Sequence, residues 1–221
     1  MNASVDFRLY LITGERLAGG AEVLALCQRL LAAAAEELPP GQRVALQLRA
    51  KTLATREIFE LALKLAVLCR RFGARLLVND RIDIALAAEA DGVHLPSAGI
   101  PAADARALMG PERLVGVSTH SVEEVRAAAA ERADFVVFSP LYRPISKAQA
   151  AAPLGPDALK DACRAASIPV FGLGGVSLER IEELHSVVAG VAPLRVAAIG
   201  ALFAAEHPEQ AIRALLRALY R

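Results

Sequence analysis

Residues 114–124 read LVGVSTHSVEE and contain one complete strand-to-helix junction. The first six residues are mostly apolar, and a run of this length is typical of a buried strand. Ser121 and Glu124 follow with the S-x-x-E spacing of a capping box, in which both side chains satisfy free N–H groups at a helix start. The stretch therefore predicts a buried β-strand followed at once by an α-helix.

The same junction recurs along the 221 residues. Eight short apolar segments are each followed by a helical pattern: residues 8–13, 44–49, 75–80, 92–96, 114–119, 135–140, 169–174 and 194–200. Regular alternation predicts parallel strands with right-handed crossovers, in a closed barrel or a doubly wound open sheet. Eight units in this length favour a single (β/α)8 TIM barrel of residues 1–221. The first strand also lacks the glycine-rich turn of a dinucleotide-binding open sheet.

Charge and cysteine content exclude several classes of protein. The net charge is +1, from 25 basic and 24 acidic residues, and no basic block is present, so we expect no nucleic-acid partner. Three cysteines have no CxxC spacing, and an odd number cannot pair completely. We expect small buried thiols, as in a reducing compartment.

Two hydrophobicity signals bear on location. Residues 1–6 lack the basic and apolar regions of a signal peptide, which predicts a cytoplasmic protein. Residues 186–205 are mostly apolar, but Pro193 and Arg195 interrupt them. Buried parallel strands are continuously apolar, so we expect the last strand and the next helix there, and no membrane span. The sequence leaves room for a homo-oligomer.

Cationic side chains follow the second predicted strand. Gln47, Arg49 and Lys51 alternate along the chain, so the strand pleat predicts that all three face the barrel axis and its mouth. Active sites of such barrels lie at the carboxyl ends of the strands. Two cations there indicate an anionic ligand, although an exposed polar loop would have the same composition.

Candidate polar and acid/base residues follow the third and fifth strands. Asn79 and Asp80 end the third strand, and a carboxylate there could bind Mg²⁺; alternatively, Asp80 caps the next helix and pairs with Arg81. Ser118 and His120 end the fifth, where His120 is either a proton shuttle or a hydrogen-bonded loop residue. We expect His94, on the fourth strand, to be a hydrogen-bonded residue of the core or of the region near the rim.

The last three strands end in residues suited to phosphate. A long connection after the sixth strand carries Ser146 and Lys147, as anion-binding lids often do. The seventh strand ends at Gly174 and Gly175 and the eighth at Gly200. Backbone N–H groups at these two strand ends form the usual phosphate site of the fold, but the glycines could also be turns without a ligand.

These segments together resemble the thiamin phosphate synthase family. The matching motifs are QLRAK at 47–51, NDRID at 79–83, ADGVHL at 90–95, GVSTHS at 116–121 and GG at 174–175. They follow the family's order at similar spacing over nearly the whole chain. The resemblance implies a (β/α)8 barrel that joins hydroxymethylpyrimidine diphosphate to a thiazole phosphate and releases pyrophosphate.

The resemblance also implies roles for individual residues. Gln47 would face the pyrimidine, Asp80 would bind Mg²⁺ as cofactor, and Gly174 and Gly175 would hold the thiazole phosphate through backbone amides. Gly200 stands where the family has a phosphate-binding serine. The diphosphate contacts implied by the resemblance are Arg49, Lys51, Asn79, Ser118 and Lys147, with Ser146 as the other matching position of the lid.

The chain departs from the family in two motifs. Residues 96–99 read PSAG, so Gly99 takes the place of the second Mg²⁺ carboxylate, and the lid reads YRPISK at 142–147. The run Leu95-Pro96-Ser97 is similar to the sister family of thiazole tautomerases, in which His120 would be the acid/base and no metal is needed. A barrel that binds phosphorylated metabolites without catalysis is a third hypothesis. The charged positions at three strand ends favour the synthase.

Overall fold

A computed structural model describes residues 4–14, 19–143, 152–203 and 205–221. Within these residues, eight parallel strands form a closed barrel in chain order, and β1 pairs with β8. The strands are β1 Phe7–Ile12, β2 Arg43–Leu48, β3 Arg75–Asn79, β4 Gly92–Leu95, β5 Leu114–Thr119, β6 Phe135–Phe138, β7 Val170–Gly172 and β8 Val196–Ala198. The predicted (β/α)8 barrel is confirmed.

Helices follow the strands on the outside of the barrel. They are α1 Gly20–Glu37, α2 Thr55–Phe72, α3 Ile82–Ala87, α4 Ala102–Met109, α5 Val122–Ala130, α6 Pro156–Ala165, α7 Leu178–Val188, α8 Gly200–Phe203 and α9 Pro208–Leu219. The predicted start of α5 at Ser121 is confirmed, and the serine half of the capping box is present, because the Glu124 N–H donates to the Ser121 hydroxyl at 3.1 Å. The Glu124 carboxylate in turn accepts from the His120 N–H.

Aromatic rings fill the interior of the barrel. Phe7, Tyr10, Phe135 and Phe171 are all fully buried, and neighbouring ring centroids lie as close as 5.2 Å. Phe135 makes edge-to-face contacts with the other three rings, and such contacts add to the free energy gained by removing the rings from water. The interior is therefore a packed core, and a ligand can enter only from a mouth.

The two ends of the barrel carry different chemistry. At the amino ends of the strands, Arg75 pairs with Asp6 at 2.9 Å and with Asp91 at 3.0 Å, and Arg106 pairs with Asp134. These guanidinium groups are thus neutralised within the protein. The candidate site residues that the structure describes lie at the other end, where the strands finish.

The apolar run at 186–205 is part of the barrel, as predicted. It contains the end of α7, then β8 and α8. Among the residues that the structure describes, no helix is long and apolar enough to cross a membrane. The cysteines Cys27, Cys69 and Cys163 are unpaired, and burial raises the pKa of the Cys27 thiol to about 12.

Candidate active site

The floor of the mouth is a pair of polar side chains above the aromatic core. The Gln47 amide nitrogen donates to the Tyr10 hydroxyl at 3.0 Å, and both residues are buried. Burial raises the pKa of Tyr10 well above its ordinary value, so the phenol is neutral. The predicted inward position of Gln47 is confirmed, and it lies where a ring entering the mouth would meet an amide.

A second polar pair lies beside the first. His94 Nε2 is 3.0 Å from the Ser118 hydroxyl oxygen, and His94 is only 3% exposed. Burial lowers the pKa of His94 to about 3, and the nearby Arg49 charge lowers it further in the same direction. The expected core position of His94 is confirmed, but its Nδ1 is buried without a hydrogen-bond partner among the described residues.

Arg49 stands at the rim, one residue beyond the end of β2. Its backbone is fixed by Thr13, whose hydroxyl accepts from the Arg49 N–H at 2.8 Å and donates to the Arg49 carbonyl at 3.1 Å. Lys51 is exposed in the turn that follows. Because β2 ends at Leu48, the strand pleat does not extend to Lys51, and its inward direction stays a prediction.

Asn79 and Asp80 lie at the end of β3. Asn79 is the last strand residue and is in register with His94, and the Asp80 N–H donates to the His94 carbonyl at 2.9 Å. Asp80 is exposed and has a left-handed φ of 59°. The alternative role of Asp80 as a helix cap is wrong, because Arg81 occupies the N-cap of α3 and its guanidinium pairs with Asp83.

His120 is exposed at the end of β5, and its ring is oriented by one hydrogen bond. The Nδ1 atom lies 2.7 Å from the Ser139 carbonyl oxygen, which can only accept. Nδ1 therefore carries the proton when the ring is neutral, and Nε2 has the lone pair. His120 is thus a hydrogen-bonded loop residue, and its Nε2 could still accept a proton.

Gly174 and Gly175 adopt φ values of 101° and 62° after β7. A Cβ on Gly174 would lie 2.9 Å from Pro140 Cα, and one on Gly175 would lie 2.8 Å from Tyr142 Cβ. The turn is held by the Tyr142 N–H, which donates to the Gly174 carbonyl at 3.0 Å. Arg180 donates to the Gly175 carbonyl and stacks on the Tyr142 ring at 4.1 Å.

The remaining predicted residues of the phosphate end have different outcomes. Gly200 is the first residue of α8 and follows β8, the strand that neighbours β7. Ser146 and Lys147 lie outside the described residues. Their roles stay predictions.

The described residues offer few ligands for Mg²⁺. Gly99 lies in a tight exposed turn, in which its N–H donates to the Pro96 carbonyl at 2.9 Å, and it supplies no carboxylate. No group of three or more acidic, histidine or cysteine side chains among the described residues could hold a metal ion. Mg²⁺ commonly binds through one or two carboxylates together with substrate phosphates. Asp80 alone therefore fits an ion that enters with a diphosphate.

Sequence reasoning missed the contribution of Tyr10 and underestimated that of His94. Both complete hydrogen bonds with predicted site residues that are 37 and 24 positions away in the chain. A usable signal was present, since His94 alternates with Gly92 on the inward face of β4. If every polar residue on the inward-facing positions of each strand had been considered, His94 would have been included among the candidate site residues.

Comparisons with known proteins identify the family. Residues 9–199 match the family model described as thiamine monophosphate synthase. A Geobacter sulfurreducens protein, provisionally named a thiamine-phosphate synthase, is 47% identical and the match covers 98% of this chain and 96% of the relative. The thiamine-phosphate synthase of Chlorobium luteolum is 43% identical over 77% of this chain and 79% of its own length.

A solved structure agrees with the sequence relatives. The thiamine phosphate pyrophosphorylase from Pyrococcus furiosus superposes with a TM-score of 0.79 at 26% identity, and the match covers 96% of this chain and 95% of that one. The resemblance expected from the motifs and the predicted synthase function are thus confirmed. The chain belongs to the thiamine monophosphate synthase family of transferases.

Proposed function

We propose that this chain joins hydroxymethylpyrimidine diphosphate to a thiazole phosphate, and that the residues of the barrel mouth described above carry out the reaction. The observation that carries the proposal is that cationic residues and a glycine turn follow two different strands of one barrel mouth, and we propose that each group binds an anion. Arg49 and Lys51 stand after β2, and the glycine turn stands after β7. Two phosphorylated substrates that must meet need such an arrangement.

Arg49, Lys51, Asn79 and Ser118 form what we call the diphosphate sector, which stabilises the leaving group. The C–O bond to the pyrimidine methylene carbon breaks, and its electron pair leaves with pyrophosphate. The thiazole nitrogen then donates its lone pair to that carbon and forms the new C–N bond. Arg49, Lys51, Asn79 and Ser118 hold the charge that develops on pyrophosphate, and fixed donors in a partly dry site stabilise such charge strongly. Lys147 and Ser146 would add contacts from the lid.

The glycine turn after β7 forms the second sector, which positions the nucleophile. Among the described residues, none accepts a hydrogen bond from the backbone N–H of Gly174 or Gly175. These N–H groups, with the start of α8 at Gly200, suit the thiazole phosphate. Gln47 on the floor suits the polar edge of the pyrimidine, which it would hold in line with the thiazole nitrogen.

Asp80 is the residue proposed to hold Mg²⁺. When bound, the ion would neutralise charge on the diphosphate and its leaving group. With a single protein carboxylate, most of its remaining ligands would be phosphate oxygens and water. We therefore expect the ion to bind weakly to the protein alone and more tightly together with the diphosphate.

The experiment follows thiamin phosphate and pyrophosphate from purified protein and both substrates, with and without Mg²⁺. We expect equal amounts of the two products and dependence on Mg²⁺. Asp80→Asn should lower kcat/KM by about 100-fold, as loss of a group that stabilises a developing charge does. Asp83→Asn is the matched control, because this nearby carboxylate pairs with Arg81. If Asp80→Asn retains the activity and metal dependence of the control, Asp80 is not the ligand.

A second candidate function is supported by the orientation of His120. With Nδ1 held by the Ser139 carbonyl, the lone pair on Nε2 could move a proton on a thiazole carboxylate phosphate. Incubation of the same preparation with that compound separates the two activities. A metal-independent tautomer product, without coupling of the synthase substrates, would replace the proposal.

The proposal also names the partners of this chain. The family acts on small phosphorylated substrates, and we propose these as the only partners needed for turnover. A cytoplasmic location and a homo-oligomer stay predictions.

A further inference from the structure

His94 is buried below the mouth. Its ring centroid lies 5.6 Å from that of Tyr10 and 6.0 Å from that of Phe135. Its polar contact is the 3.0 Å approach of Nε2 to the Ser118 hydroxyl oxygen. The ring is neutral, because it is buried among aromatic groups and next to a cation.

The surroundings of the two ring nitrogens decide where the single proton resides. Nδ1 is buried and finds no partner among the described residues. Among buried backbone groups, an N–H without an acceptor is rarer than a carbonyl without a donor, and we apply the same preference to the imidazole. This preference favours a proton on Nε2, so that Nε2–H donates to the Ser118 oxygen.

This direction of donation determines what Ser118 offers to a ligand. A serine hydroxyl has one hydrogen and two lone pairs. When the oxygen accepts from His94, its hydrogen turns away from the imidazole. Ser118 is next to the last residue of β5, shares the inward parity of Gly116 and is partly exposed. Its hydrogen is thus available to an anion in the mouth.

We propose that His94 is a positioning residue, which fixes the Ser118 hydroxyl as a hydrogen-bond donor toward the departing pyrophosphate. The inference rests on the proposed function, because it assigns Ser118 to the diphosphate sector. The opposite tautomer would draw the Ser118 hydrogen toward His94 and present oxygen lone pairs to the anion. A serine in that state would repel the leaving group.

The tautomer can be measured on the wild-type protein without turnover. In protein labelled with ¹⁵N at histidine, the protonated nitrogen and the nitrogen with the lone pair have well separated chemical shifts. The His94 signals are those that disappear in His94→Gln. We expect Nε2–H at neutral pH, and an Nδ1–H tautomer would overturn the proposal.

Variants then test whether His94 acts through Ser118. The amide nitrogen of His94→Gln reaches the former position of Nε2, whereas the shorter His94→Asn side chain reaches only that of Nδ1. We expect Ser118→Ala and His94→Asn each to lower kcat by about 100-fold with little change in KM for the thiazole phosphate. His94→Gln should recover most of the activity.

The double variant separates positioning from mere packing. If His94 acts through Ser118, the His94→Asn/Ser118→Ala protein is no slower than Ser118→Ala alone. Losses that multiply, or a His94→Gln protein as slow as His94→Asn, would overturn the proposal.

Binding of inorganic pyrophosphate separates this inference from the proposed function. Its affinity, measured by calorimetry with Mg²⁺ for the same four variants, should show the same non-additive pattern. A wild-type protein that makes no thiamin phosphate would refute the proposed reaction. The tautomer and the pyrophosphate affinities would still decide the role of His94.

Discussion

Gly174 is the residue at the mouth whose replacement tests the phosphate end most directly. Its φ of 101° is unfavourable for any residue with a side chain, and a Cβ would lie 2.9 Å from the backbone of Pro140. Gly174→Ala should lower the free energy of unfolding by about 2 kcal/mol and raise KM for the thiazole phosphate. Chemical denaturation and steady-state kinetics measure the two effects.

The control for this substitution is Gly190→Ala. Gly190 also has a positive φ, of 72°, but a Cβ there would meet nothing within 4 Å. Gly190→Ala therefore has the energetic cost of a positive φ but no steric clash of the new Cβ. Equal stability and equal KM in the two variants would show that the turn at Gly174 can accommodate a Cβ and has no part in phosphate binding.

Residue types at single strand ends were predictable, whereas their partners were not. Alternation predicted the inward position of Gln47, and Asn79 and Ser118 were predicted at strand ends; the structure has all three at one mouth. The bonds from Tyr10 to Gln47 and from His94 to Ser118 depend on which strands become neighbours. Which strands are neighbours is determined by closure of the barrel, and no local stretch of sequence reveals it.

At the level of elements, one guanidinium joins α4 to the starts of β5 and β6. The Arg106 side chain is 7% exposed, pairs with Asp134, and donates to the carbonyls of Gly110 and Arg113 at 2.8 and 2.6 Å. Arg106→Met leaves the Asp134 carboxylate without its cation. We expect a loss of about 3 kcal/mol in the free energy of unfolding with KM unchanged.

An exposed pair provides the comparison for Arg106. Arg126 and Glu123 lie one turn apart on α5, and their side chains are 60% and 79% exposed. Arg126→Met should change stability by less than about 0.5 kcal/mol. Denaturation of both variants under one set of conditions measures the difference. Similar losses in the two would contradict a structural role for the Arg106 pair.

Starts of elements were easier to predict than ends. The α5 start was correct because Ser121 and Glu124 satisfy backbone groups locally. Three strands end two residues earlier than predicted, β6 at Phe138, β7 at Gly172 and β8 at Ala198, and β1 to β4 each end one residue early. Pro140 has no N–H for the ladder, and Gly174 leaves the β region of φ. Apolar composition continues past these points, so hydrophobicity alone overestimates the strands.

For the whole molecule, a buried neutral histidine makes global stability dependent on pH. The folded pKa of His94 is about 3, against an ordinary value of 6.5. Between these values the unfolded chain binds a proton that the folded barrel does not. The free energy of unfolding should therefore fall as the pH drops from about 6.5, by up to about 1.4 kcal/mol per pH unit.

Comparison with His94→Gln isolates this contribution, because every other acidic and basic group is shared. Denaturation curves for the two proteins at a series of pH values give the difference in stability. We expect that difference to shrink steadily below pH 6.5 as the wild type loses stability faster. Parallel curves would mean that His94 is protonated in the folded protein.

Closure of the barrel by the β1–β8 pair makes the first strand dependent on the last. An open strand edge exposes a row of unpaired backbone groups that can pair with another chain. As the polypeptide emerges from the ribosome, one edge of β1 remains unpaired until β8 has been synthesised. By then almost the entire chain has been made. Nascent chains of this protein are accordingly open to wrong pairing for most of their synthesis.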